Sequence, residues 1–193
     1  NGISIVPLDK LLLESTSNAV TITFDDGMRS VFKSALPVLK AFDAPSHLYL
    51  TTGSVGSTNR WPTQPAHAPQ FDMMNWQEIE QCYAARMSME CHTVSHPDLC
   101  QQSPEQILQE CESANDIIEL RLGYKPRHFA YPYGAYNDKV RWTIEPLFET
   151  AVTTRLKFLS NKNKSCELPR LDTYYLQNMA NFGALPSTKT RLY

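Results

Sequence analysis

The sequence predicts an α/β fold, a parallel sheet tending to close into a barrel with helices outside. Three observations point there. Strand-like and helix-like stretches alternate along nearly the whole chain. The clearest helices carry recognisable start and stop residues. The residues best suited to chemistry, Asp25, Asp26, His92, His96 and Tyr133, all fall just where a predicted strand ends, the edge at which such folds place their sites.

Gly2 to Pro7 reads as a short strand, and Leu8 to Glu14 as a helical turn or two. Val20 to Phe24 is an apolar strand that runs into Asp25-Asp26-Gly27, a corner of ordinary turn residues. From Arg29 to Phe42, Val31, Phe32, Ala35, Leu36, Leu39 and Phe42 recur at near-helical spacing, with Pro37 against the pattern. A second strand at Ser46 to Thr51 completes a strand-helix-strand crossover unit. Gly53 to Phe71, rich in Pro, Gly, Thr and Asn, is too long for a plain connector and is expected either to lie over a site or to be a disordered excursion.

Asn75-Trp76-Gln77-Glu78 is a capping box that opens a helix reaching about Ala85. Arg86 to Cys91 is a strand delivering His92-Thr93-Val94-Ser95-His96-Pro97. Ser103 as N-cap, Pro104 at the first helical position and a face of Ile107, Leu108, Cys111, Ala114, Ile117, Ile118 and Leu122 mark a long helix that Gly123 closes. The strand His128 to Tyr131 leads into Pro132-Tyr133-Gly134, a helix begins at Asn137, and strands follow at Thr150 to Thr154 and Leu168 to Tyr174. No internal repeat or domain boundary is visible.

At 193 residues the chain is expected to form one domain, residues 1–193, with a continuous core. A net charge of −2 gives no basic footprint for nucleic acid or anionic lipid, and no apolar run is long enough to span a membrane. The start lacks a signal-peptide pattern and an initiator Met, so a beginning inside a longer precursor is expected. Cys82, Cys91, Cys100, Cys111 and Cys166 are an odd set without a Cys-x-x-Cys pair, which favours free thiols and a cytoplasmic setting, with the cell envelope as the alternative.

His92 and His96, four residues apart, with one carboxylate would supply the nitrogen and oxygen ligands of a three-protein-ligand catalytic zinc site. Alone, the two histidines fit better as surface or capping residues before a proline. Their weight comes from company: acidic residues end one strand, and Tyr131-Pro132-Tyr133-Gly134 ends another.

Thr23-Phe24-Asp25-Asp26-Gly27, His92-Thr93-Val94-Ser95-His96-Pro97 and Phe129-Ala130-Tyr131-Pro132-Tyr133-Gly134 resemble the first three motifs of the polysaccharide deacetylases, carbohydrate esterase family four, in order and in spacing. The resemblance implies a distorted (β/α) barrel that removes acetyl groups from N-acetylated sugars with a divalent metal, zinc being the expected ion. It makes Asp26, His92 and His96 the metal ligands and Asp25 the general base, with the Tyr133 backbone N–H completing an oxyanion site. The partner it implies is a carbohydrate.

Two positions depart from the family pattern. Where many members have an arginine in the third motif this chain has Ala130, and Arg170, in Leu168-Pro169-Arg170-Leu171-Asp172, is the candidate to orient Asp25 instead. Pairing of Arg170 with a surface acid such as Asp172 is the plainer reading. The family's late histidine, which protonates the leaving amine, has no counterpart after His128. His67 from the long loop or Asp25 after taking its proton would have to serve, or activity is weak. A silent domain that binds glycan or a partner, and a hydrolase of another C–N bond, are the rival readings. His47 and His128 lie within predicted strands and are expected to be structural; Trp61, Tyr131, Tyr133 and Tyr136 are candidates to stack on a sugar ring.

Overall fold

The computed structural model describes residues 3–13, 18–65 and 67–177. Its frame is a six-stranded, wholly parallel sheet in sequence order: β3 (Ile22–Asp26), β4 (Ser46–Leu50), β5 (Met87–Cys91), β6 (His128–Ala130), β7 (Thr150–Leu156) and β8 (Leu168–Arg170). Before it, β1 (Ser4–Ile5) and β2 (Ala19–Val20) pair with each other, and α1 (Leu8–Leu11) lies between them in sequence. The sheet curls until its edge strands meet through side chains, Arg170 of β8 reaching Thr23 and Asp25 of β3. The result is a half-barrel, the distorted barrel that the alternation of elements predicts.

Strand alternation sorts the side chains. On β5, Met87, Met89 and Cys91 turn outward to the helices and are buried; Glu90 and His92 turn inward. On β4, Leu48 and Leu50 pack outward with α2 (Leu36–Ala41) and α3 (Trp76–Ala84). On β6 and β7, Phe129 and Ala151 pack against α4 (Pro104–Leu122) and α5 (Asp138–Ile144). Burying a side chain such as Leu48 is worth about 2 kcal/mol, so these outer layers hold the curl. Inside it, Leu8, Tyr49, Ala130, Val152 and Leu168 form a smaller apolar layer.

Both capping boxes form, at Asn75 with Glu78 and at Ser103 with Gln106, and Gly123 ends α4 with φ 79°. The stretch expected as one helix from Arg29 to Phe42 differs. A π-helical turn at Val31–Ala35 precedes α2, which starts just before Pro37. Proline has no N–H to donate and its ring crowds the preceding turn, so the regular ladder widens there. The strand expected from Leu168 to Tyr174 stops at Arg170, because Asp172 caps a 3-10 turn by accepting from Tyr174 N–H. Chain breaks of this kind depend on one residue, which periodicity over a window does not register.

Candidate active site

Asp25 and Asp26 are the last residues of β3, and in a regular strand they would point to opposite faces. Asp26 instead has φ 70°, followed by Gly27 at φ 99°, and this left-handed step brings both carboxylates to the same rim. Glycine is required next: a Cβ at Gly27 would stand 2.6 Å from Leu50 Cδ1. Gly134, at φ 67°, is constrained likewise, since its Cβ would meet Thr154 Oγ1 at 2.1 Å.

Asp26 Oδ1 lies 3.3 Å from His92 Nε2 and 3.4 Å from His96 Nε2. The three ligand atoms lie within 4.8 Å of one another. His92 Nδ1 is 2.8 Å from the Ala130 carbonyl oxygen, to which it donates, and Nε2 is the nitrogen turned to Asp26. Burial pushes His92 down, yet the hydrogen bond to Asp26 and the charges of Asp25 and Asp26 outweigh it and hold the ring above its ordinary 6.5. Burial and the neighbouring His92 push His96 down to about 4. Two imidazole nitrogens and a carboxylate oxygen turned toward one point is the donor set of a divalent cation, which would take the place of the proton that His92 Nε2 shares with Asp26.

Asp25 faces the other way, into the barrel mouth. Arg170 grips it with two parallel bonds, Nη1 to Oδ1 and Nη2 to Oδ2, each 2.7 Å. Burial pushes the Asp25 carboxyl up; the Arg170 guanidinium, by hydrogen bonding and charge, more than offsets this and holds it below its ordinary 3.8. Arg170 is thus paired with Asp25 and not with Asp172.

The Pro132–Gly134 turn places Tyr133 beside His96, ring centroids 4.5 Å apart, with φ 59°. The turn's backbone bonds are made by Gly134 and Ala135 N–H, to Tyr131 and Pro132. Tyr131, a candidate sugar platform in sequence, is buried and donates its hydroxyl to Cys166 O, because it follows β6 on the outward face. Tyr133 is the exposed ring of that motif. His67 is exposed and takes part in none of these contacts.

Three residues support the site; Glu110 and Thr63 carried no recognisable signal in the sequence, and Trp61 only that of a sugar platform. Glu110 on α4 accepts from Val94 N–H, Ser95 N–H and Ser95 Oγ, and so holds the loop between the two histidines, where Thr93 and His96 both have left-handed φ. Trp61 stacks on His96 and is buried, so its ring is not a free sugar platform. Thr63 donates to His96 O. Among the described residues no helix is long and apolar enough to cross a membrane, and the five cysteines are unpaired.

Comparison with known proteins agrees with the fold. The poly-beta-1,6-N-acetyl-D-glucosamine N-deacetylase of Staphylococcus aureus (strain MRSA252) is 28% identical over 130 residues, 62% of this chain and 42% of that protein. The solved structure of the Streptococcus pyogenes deacetylase PplD in complex with acetate superposes with a TM-score of 0.73 at 26% identity, covering 86% of this chain and 72% of that one. The structure of IcaB from Ammonifex degensii gives a TM-score of 0.75 at 23% identity, covering 88% and 76%. The chain spans less than half the length of the curated relatives it matches. The sequence-family model described as polysaccharide deacetylase matches residues 13–147, well over half of the chain, and the chain belongs to that family.

Proposed function

We propose that the chain is a metal-dependent hydrolase that removes N-acetyl groups from an amino sugar or polysaccharide, with Asp26, His92 and His96 holding the cation. The observation that carries this is the division of the acidic pair, Asp26 turned to two imidazoles and Asp25 held apart by Arg170. Zinc is the working assignment, because two nitrogens and one oxygen with an open position are its usual catalytic set. A divalent cation bound there would lower the pKa of a bound water far below its bulk value, to about 7, and polarise the acyl carbonyl.

Asp25 then has two tasks. As a carboxylate held below its ordinary pKa it is a weak base, and it takes a proton only from a water that has been acidified. Once protonated it is correspondingly a strong acid, suited to return that proton to the departing amine. Arg170 keeps Asp25 ionised and aimed, and Tyr133 N–H steadies the oxyanion.

The relative from S. aureus makes an N-acetylglucosamine glycan the first substrate to try. Acetate release from a panel of N-acetylated glycans, measured with added zinc and with chelator, tests the reading. Chelator-sensitive release from at least one glycan is expected. If none is released from any, the silent-domain alternative takes its place.

A further inference from the structure

The two histidines of the site are secured in different ways. His92 has its Nδ1 held by the Ala130 carbonyl at 2.8 Å, the arrangement that usually fixes a ligating imidazole. His96 Nδ1 is buried and finds no hydrogen-bond partner among the described residues. On the Nδ1 side, therefore, nothing polar holds the ring, and its polar approach is that of Nε2 to Asp26 Oδ1 at 3.4 Å.

Packing holds that side. The indole of Trp61 lies over one face of the imidazole, centroids 4.7 Å apart and planes 26° from parallel. The edge of Tyr133 meets it at 4.5 Å and 79°, and His92 at 4.8 Å and 73°. Thr63 ties the arrangement together, donating to His96 O at 3.3 Å and bonding the Tyr133 hydroxyl at 2.7 Å. Trp61 is itself anchored: it is buried, its N–H donates to Asn59 O, and the Asn59 side chain is bonded to Pro69 O and Phe71 N–H. A flat ring between such walls cannot turn about its Cβ–Cγ bond without displacing the indole.

We propose that Trp61 is a positioning residue for the metal ligand His96, replacing by stacking the hydrogen bond that Nδ1 lacks, so that the loop from Gly53 to Phe71 is part of the cation site. This rests on the metal reading given above. Removing the indole frees the His96 ring while leaving His92 and Asp26 in place, so the cation loses one well-aimed donor of three. A flat apolar ring of another kind restores the wall.

The test is metal affinity by chelator competition on the whole chain, for zinc and for cobalt, in Trp61→Ala, Trp61→Phe, Thr63→Val and His92→Ala. Trp61→Ala is expected to bind about 10- to 100-fold more weakly, the range for loss of a partner that orients a metal ligand. Trp61→Phe should return to near the parent value, with Thr63→Val between. In the cobalt-loaded chain the visible ligand-field absorption should shift in Trp61→Ala and be restored in Trp61→Phe, a change that general loosening of a loop would not reverse. Parent affinity and an unshifted cobalt spectrum in Trp61→Ala, with His92→Ala unable to bind, would overturn the inference and leave the metal reading standing. A parent chain that binds no better than His92→Ala would remove both. If Trp61→Ala fails to fold by circular dichroism, Thr63→Val decides: unchanged affinity and spectrum there count against the clamp.

Discussion

His92 and His96 face Asp26 at the C-terminal rim of the half-barrel; deeper inside, toward the other end, His47 and His128 face Glu90. Both groups offer two imidazoles and a carboxylate, and in both the ligand atoms lie within 4.8 Å of one another. What separates them is the partner of the second ring nitrogen. At the rim the His92 Nδ1–H is spent on a carbonyl, so Nε2, turned to Asp26, is the nitrogen that can give a cation its lone pair. Inside, His47 Nε2 accepts from Leu8 N–H at 3.0 Å, so the proton must sit on Nδ1, directed at Glu90 Oε1 3.4 Å away. Glu90 Oε2 also accepts from Arg127 N–H and His128 N–H, and His128 meets Asp9 and Thr150. The inner group presents protons where a cation needs lone pairs. It ties α1 to the floor of the half-barrel. Residue type alone does not make a ligand; the backbone group on the far side of the ring decides.

That contrast breaks most visibly if the wrong group holds the cation. Asp26→Ala or His92→Ala should reduce bound metal to background and abolish turnover, whereas Glu90→Ala should keep the metal and lower stability by about 3 kcal/mol, because buried donors lose their acceptor. Elemental analysis and urea unfolding of the variants check this; full occupancy in His92→Ala would sink the ligand assignment. Next in size, Asp25→Asn should retain metal and lose a factor of about 10² to 10⁴ in turnover, read by metal content beside acetate release. Arg170→Ala should also retain metal, with turnover down about 10- to 100-fold, the loss of an outer partner; unchanged kinetics would mean that Asp25 needs no guanidinium.

The smallest effect sharpens the inner group. Burial chiefly holds His128 below its ordinary 6.5, so the folded state resists its protonation. Stability from this group is complete above pH 6.5 and is lost as pH falls from there toward the depressed folded value. Unfolding midpoints from pH 7.5 down to 5 should therefore decline less steeply in His128→Gln than in the parent.

Much of the frame was readable because its signals are local. Asn75 with Glu78, Ser103 with Gln106, and Gly123 act within a turn of themselves, and the structure uses each as expected. The π-helical turn before Pro37 and the early end of β8 were missed because one residue overrules a repeating pattern. At the site, Asp25, Asp26, His92, His96 and Tyr133 could be placed at one rim because strand ends share an edge. Glu110 looked like any acid on a helix, and Trp61 like a surface aromatic, since what each one holds lies on another element. Arg170 was found only through the gap at Ala130.

The closure of the sheet edges by Arg170 and Asp25 has a consequence for the life of the chain before it is finished. The two residues are 145 positions apart, so during synthesis the acidic corner emerges early and waits for nearly the whole sheet to be made and docked. Until β8 arrives, Asp25 lacks the guanidinium that lowers its pKa and aims it. A half-folded chain without β8 would thus leave Asp25 unoriented, and the hydrolysis proposed above would await the docking of that strand.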